Sequence, residues 1–219
     1  MSPLRAVLFD FNGTLSEDEP LLLGIYQRLF ARYGKPLTEE QYYSELAGLS
    51  EEAIIGGWLG VDGPLLGSLM AERIDNYGIE AADGATVTDE VRAAVRYAAA
   101  HVPVGIVSGA FRAEIEPVVA AADLAGDVTV IVAADDVERG KPDPEGYLRA
   151  LDVLGLDAAD AVAFEDTEVG IAAARAAGLR CVAVRGTLPD TRLAAAGEIV
   201  DRIDTALLRR LLAREPTTA

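Results

Sequence analysis

The sequence predicts an α/β fold: a parallel sheet with helices on both faces, interrupted by an inserted α-helical cap. Three observations carry that reading. Residues 6–9, AVLF, are a short continuous apolar run of strand formers ending on Asp10, as expected of a strand buried on both faces. From Thr86 onward helical patterns alternate with apolar runs, the rhythm of a parallel sheet assembled from helix-then-strand units. Between these regions four helical patterns follow one another with no strand among them, which an alternating sheet does not accommodate.

The first strand breaks at Asp10, and Gly13-Thr14 supplies a turn in which backbone can come close to a ligand. After the acidic segment SEDEP, Leu22, Ile25, Leu29 and Tyr33 recur on one helical face, with Gly34 as the stop. Thr38-Glu39-Glu40-Gln41 resembles a capping box opening a second helix that runs to about Leu46. Ser50-Glu51-Glu52-Ala53 opens a third, and a fourth spans roughly 64–77. Helix 88–100 then leads to VPVGIVSG, helix 111–122 to VTVIVAA, helix 144–154 to AVAFED and helix 168–177 to CVAVRG. Glu198-Ile199-Val200 suits an edge strand before a last helix over 204–213, and the tail REPTTA is expected to fray. The predicted organisation is a Rossmann-like core (1–16 and 83–219) carrying a cap (17–82).

Composition bounds the function. The chain has 219 residues, enough for one core with an insertion, and a formal charge of −17. That charge argues against nucleic acid and against anionic membranes as partners. An anionic substrate would need local positive charge from a metal ion or from placed Lys and Arg. Cys181 is the only cysteine, so no intrachain disulfide forms, and its run CVAV marks it as a buried small hydrophobe. No stretch has the length and apolarity of a membrane span, and the N-terminus lacks a signal-peptide pattern. The expectation is a cytoplasmic protein, monomeric or weakly homodimeric.

Polar residues gather at four predicted strand ends: Asp10 with Asn12, Ser108 with Gly109, Lys141 after Arg139-Gly140, and Glu165 with Asp166. Strand ends of one parallel sheet open onto one crevice. Singly, each group has a structural explanation as a turn, a cap or a loop entering a helix. Together they make a phosphoryl-transfer site: carboxylates for Mg2+, which prefers oxygen ligands, and a hydroxyl and an ammonium for phosphoryl oxygens. Asp10 is then the nucleophile, forming an aspartyl-phosphate that water hydrolyses.

Over nearly its whole length the chain resembles the haloacid dehalogenase superfamily, in the branch of phosphatases and β-phosphoglucomutase-like proteins with a helical cap. DFNGTL matches its first motif, IVSG the second, RGKPDPEGYLRAL the third and FEDTEVGIAAARAAGL the fourth. The resemblance implies Asp10 as nucleophile and Mg2+ ligand, with the Asn12 main-chain carbonyl also on the metal. It implies Asp166 as a further ligand and Glu165 as a ligand or its partner. Ser108, Gly109 and Lys141 would hold phosphate, with Gly13 and Thr14 near the substrate, a small phosphorylated metabolite.

The chain departs from the family at position 12. Phosphatases and mutases of this branch carry there an Asp that serves as general acid and base, and this chain has Asn12. An amide cannot exchange that proton near neutral pH, and loss of such a group forfeits ~10²–10⁴-fold in rate. Metal binding through the backbone carbonyl survives. The missing acid has three conceivable substitutes: a carboxylate of the segment holding Glu17, Asp18 and Glu19, a substrate with a good leaving group, or deamidation of Asn12-Gly13. The expected activity is slow Mg2+-dependent phosphatase action, the alternative a catalytically weak binder of a phosphorylated ligand or partner. Other superfamily chemistries fit less well. Dehalogenases lack the FED-type metal motif, Lys35 in the turn YGKPL reads as exposed rather than as a phosphonatase Schiff-base lysine, and the mutase histidine and arginine are missing.

Overall fold

The computed structural model describes residues 4–213. Strand β1 (Ala6–Phe9) is fully buried. Four helices follow it in sequence: α1 (Glu19–Ala31), α2 (Glu39–Gln41, continuing as a π-helical turn over Tyr42–Leu46), α3 (Glu51–Leu59) and α4 (Gly63–Glu80). Helix α5 (Asp89–Ala99) and strand β2 (Val104–Val107) resume the alternation, followed by α6 (Arg112–Ala121), β3 (Val130–Val132), α7 (Glu145–Leu154) and β4 (Ala161–Glu165). The described chain closes with α8 (Glu168–Ala176), β5 (Arg180–Val184), α9 (Asp190–Leu193), β6 (Glu198–Val200) and α10 (Thr205–Leu212).

All six strands are parallel, in the order β3-β2-β1-β4-β5-β6. The order reverses between β1 and β4, so the chain leaves those neighbours in opposite directions and opens a crevice at their carboxyl ends. Register decides what faces that crevice. Phe9 is level with Ile106 on one side and Phe164 on the other, and the Phe9 and Phe164 rings stack at 5.0 Å. Asp10, Ser108 and Asp166, one or two residues further along, therefore emerge at one edge.

The predicted helices are present with small shifts. Thr38 and Gln41 form the reciprocal capping box, and Ser50 accepts from the Ala53 N–H at the start of α3. The helix opened by Thr38 widens midway: the Ala47 N–H bonds the Tyr42 carbonyl at 2.9 Å, one residue further back than in an α-helix. Leu22, Ile25 and Leu29 are buried, but Tyr33 is exposed because α1 ends at Ala31 and Gly34 then takes a left-handed φ of 69°. The run VTVIVAA yields only the three-residue strand β3 at the sheet edge. Helix α9, a single turn entered from Pro189, lies in a loop with no helical periodicity to announce it. The REPTTA tail lies outside the described residues.

Three residues with reactive side chains take structural places. Lys35 donates to the carbonyls of Trp58 and Leu59 at 3.0 and 2.9 Å, capping the C-terminus of α3. His101 pairs through Nδ1 with the Tyr97 carbonyl, one turn back. Cys181 is buried in β5, and burial pushes its thiol up to about 12, which leaves it inert. No helix among the described residues is long and apolar enough to cross a membrane.

One packing detail joins fold to site. A methyl group added to Gly170, in the first turn of α8, would overlap the Glu165 side chain. Gly170→Ala is expected to cost ~1–3 kcal/mol of stability in urea unfolding. Gly67→Ala, inside α4 with open space around it, should instead stabilise by ~0.5–1 kcal/mol. Equal behaviour of the two variants would show that Glu165 is free to move.

Candidate active site

At the carboxyl edge of the sheet the ammonium of Lys141 lies 2.5 Å from Asp10 Oδ1 and 2.6 Å from Glu165 Oε1. Its loop leads into α7, whose first turn brings Tyr147: its hydroxyl donates to Glu165 Oε1 at 2.5 Å and its ring lies 5.5 Å from the Lys141 nitrogen. Asp166 accepts from the Thr14 hydroxyl at 3.2 Å and from the Thr187 hydroxyl. Asp10, Glu165 and Asp166 are all buried, and each offers an oxygen within 4.8 Å of the others'.

The electrostatics follow from burial. Desolvation, aided by the Asp10 charge, raises Glu165 to about 7 despite Lys141, and raises Asp166 well above the usual carboxylate range. Burial alone would lower the Lys141 ammonium, but Asp10 and Glu165 outweigh it and hold the lysine charged. One cation among three carboxylates leaves the cluster short of positive charge. Glu165 Oε2 is buried with no hydrogen-bond partner, an orphan acceptor of the kind a hard cation satisfies. The donor set, carboxylates without His or thiolate, fits such an ion.

Asn12 is held firmly. Its Nδ2 donates to Asp18 Oδ2 at 2.8 Å, the Gly13 N–H donates to Asp18 Oδ1 at 3.2 Å, and the Tyr77 hydroxyl also donates to Asp18. Asp18 is fully buried, and burial raises its pKa. The amide nitrogen is thus turned to Asp18. Glu17 is exposed. Glu19, of the same segment, lines the cleft, accepts from the Tyr42 hydroxyl at 2.8 Å and is raised by burial to about 7.

The cleft has a volume of about 410 Å³, in the range of small-molecule sites. Asp10, Asn12, Ser108, Gly109, Lys141 and Asp166 line it from the sheet, and Glu19, Tyr26, Tyr42, Glu51 and Arg73 from α1–α4. Ser108 Oγ accepts from the Ala110 N–H at 3.1 Å, leaving its proton for a ligand. Gly13, Thr14 and Glu165 stand behind the surface: the Gly13 N–H bonds the Ser16 carbonyl, and Thr14 is committed to Asp166. Tyr43 and Trp58, aromatics of the α1–α4 region, do not line the cleft. Tyr147 and Thr187 were not singled out by sequence reasoning. Thr187 follows β5 in the loop RGTLPD, where the strand-end rule that found the other four positions also points.

An open parallel sheet with a carboxylate-lysine cluster at its switch point defines a class of α/β enzyme scaffold. The profile of the haloacid dehalogenase-like hydrolases matches residues 7–184, and the chain belongs to that family. It is 31% identical over 184 residues to validoxylamine A 7'-phosphate phosphatase of Streptomyces hygroscopicus subsp. limoneus, covering 84% of this chain and 86% of that one. It is 32% identical over 187 residues to N-acetylmuramic acid 6-phosphate phosphatase of Pseudomonas aeruginosa, covering 83% and 82%. Among solved structures, a point variant of CbbY from Rhodobacter sphaeroides in complex with xylulose-(1,5)bisphosphate superimposes with a TM-score of 0.82 at 26% identity, covering 91% of this chain and 95% of that one.

The charge imbalance makes a prediction about pH. Because Glu165 keeps its proton to about 7 in the fold against 4.5 as its reference value, the folded state binds more protons than the unfolded chain between those values. Metal-free protein should therefore lose stability as pH rises through that window. Mg2+ at about 100 times its Kd should restore ~2.7 kcal/mol, and Asp166→Asn should abolish the gain. Thermal unfolding across pH with and without Mg2+ tests this; a flat metal-free profile contradicts it.

Proposed function

We propose that the protein is a Mg2+-dependent phosphatase hydrolysing a small phosphomonoester through an aspartyl-phosphate on Asp10, with residues 17–82 acting as a cap over a core of 1–16 and 83–219. The observation that carries the reading is the Lys141 bridge to Asp10 beside two further buried carboxylates. Membership of the hydrolase family and similarity to proteins named as phosphatases support it. The substrate reading is a phosphorylated metabolite small enough for the cleft.

Asp10 attacks phosphorus, the bond to the leaving oxygen breaks, and the aspartyl-phosphate forms. Lys141, the Ser108 hydroxyl and the Gly109 backbone hold the phosphoryl oxygens. Asp10, the Asn12 carbonyl, Glu165 and Asp166 would hold Mg2+, which when bound offsets charge on the transferring group. Gly13 and Thr14 serve from behind, Thr14 by fixing Asp166. Asn12 cannot give the leaving oxygen its proton, Glu17 is exposed, and Asp18 is committed to Asn12, Gly13 and Tyr77. Glu19 is the carboxylate of that segment that lines the cleft, and we assign it the proton transfers: to the leaving oxygen first, then from the water that attacks the aspartyl-phosphate and frees Asp10.

The amide at position 12, bound to Asp18, favours a second reading, a scaffold that binds phosphorylated ligands with little turnover. Phosphate release with Mg2+ from sugar, nucleotide and acyl phosphates separates the two. Asp10→Asn should abolish release, and Glu19→Gln should lower kcat by ~10²-fold. Asn12→Asp should raise kcat about tenfold or more and make it far less sensitive to Glu19→Gln. Full activity in Glu19→Gln would remove the residue from the mechanism. Absence of Asp10-dependent release from every compound would favour the binding reading.

A further inference from the structure

Glu19 opens α1, and the charges around its carboxylate do not fix it in place. Asp10 and Asp166 at the strand ends and Asp18 beside it in the chain repel a negative charge there. Arg73 of α4 attracts it, but that guanidinium is engaged elsewhere: Nη2 lies 2.7 Å from Glu51 Oε2, and Nη1 is paired with Glu114 of α6. What holds Glu19 is the Tyr42 hydroxyl, which donates to its Oε2 at 2.8 Å.

Tyr42 is itself firmly set. It is buried, its ring 5.9 Å from that of Tyr26 and edge-on to Tyr43 at 5.2 Å. Its N–H closes an α-helical bond to the Thr38 carbonyl at 3.0 Å, while its own carbonyl accepts the wider bond from Ala47. The π-helical turn therefore begins at this residue, and such turns are rare and concentrate at functional sites. Burial and the Glu19 charge push the Tyr42 hydroxyl well above its ordinary value, so it keeps its proton and stays a donor. Glu19 is half-buried and lines the cleft together with Asp10. Its Oε1 is not one of the sealed, partnerless oxygens that Glu51 and Glu165 carry, so the oxygen that Tyr42 leaves free is the one a ligand can meet.

Resting on the assignment of Glu19 to the proton transfers, we propose that Tyr42 is its positioning residue: the hydroxyl fixes Oε2 so that Oε1 carries the proton toward the leaving oxygen. In the first step the bond from Asp10 to phosphorus forms, the bond to the leaving oxygen breaks, and that oxygen takes the proton from Oε1. Glu19 is left ionised, and the Tyr42 hydrogen bond stabilises the charge. In the second step the same oxygen takes a proton from the water that attacks phosphorus and releases Asp10. Tyr42 touches neither substrate nor reacting atoms; it acts through Glu19.

The test rests on the leaving group, because a positioned acid matters only where the departing oxygen needs a proton. Two esters of similar size are compared with Mg2+: phenethyl phosphate, which leaves as an alkoxide, and para-nitrophenyl phosphate, which leaves as a stable phenolate. Tyr42→Phe, which removes only the hydroxyl, should lower kcat/KM for the alkyl ester ~10-fold through misplacement of the acid, and leave the aryl ester nearly unchanged. Glu19→Gln should lower the alkyl rate ~10²-fold with the same discrimination. Adding Tyr42→Phe to Glu19→Gln should cost nothing further, since the two act as one unit. With Asn12→Asp supplying another acid, Tyr42→Phe should lose its effect. A merely structural role lowers both esters alike and persists in both backgrounds, so equal losses, or additive ones, overturn the proposal. The outcomes also separate it from the reading beneath it. Discrimination lost in Glu19→Gln but kept in Tyr42→Phe overturns the positioning role alone, whereas an unchanged ester ratio in Glu19→Gln overturns the acid assignment and the positioning role with it.

Discussion

The Lys141 ammonium, wedged between Asp10 and Glu165, is the interaction on which the rest of the site depends. Burying a charge costs several kcal/mol even after relaxation, and removing one partner of a buried pair costs 3–5 kcal/mol in typical cases, about the scale of a small protein's whole stability margin. The chain meets that cost by topology. Two adjacent parallel strands, β1 and β4, end level with each other, so their terminal carboxylates have no room to separate, and a lysine from the loop before α7 reaches both. The Tyr147 hydroxyl adds a further hydrogen bond to Glu165. What remains uncompensated, an orphan oxygen on Glu165 and the neighbouring Asp166, is the part of the bill left to a bound cation.

Helices α1–α4 meet the sheet layer through polar as well as apolar contacts. Arg73 to Glu114 joins α4 to α6, and Tyr77 to Asp18 joins α4 to the loop after β1. These are buried, directional links, which confer register more than net stability. They set the depth of the cleft and fix which side chains of α1, α3 and α4 look across at Asp10. The π-helical turn after α2 belongs to the same device: widening the helix at Tyr42 accompanies the bond from its hydroxyl to Glu19 across 2.8 Å.

Much of this was legible in the sequence, for identifiable reasons. Apolar runs of four or five residues ending on Asp10, Ser108 and Glu165 announce strands buried on both faces, and strand ends of a parallel sheet share one edge. Periodicity located α1, and the capping residues Thr38 and Ser50 placed the starts of α2 and α3. Illegible were features set by long-range geometry. Nothing in the local pattern shows that Asp18 turns inward to hold Asn12 while Glu19, its neighbour, faces the cleft. Tyr147 reads as an ordinary helix residue until the fold lays it beneath Lys141. Arg73 has no periodic signal distinguishing it from a solvent-facing arginine, since its partners come from α3 and α6, 22 and 41 residues away in the chain.

The bond between Asn12 and Asp18 also constrains the protein's history. A carboxylate at position 12 would sit within 2.8 Å of Asp18, and two acids at that distance must share a proton. Changing Asp18 first would strip the Asn12 amide, the Gly13 N–H and the Tyr77 hydroxyl of their common acceptor. Either single step passes through a less stable protein, so the two positions form an epistatic pair. A single change to the acid at position 12 therefore trades stability for rate until Asp18 changes with it.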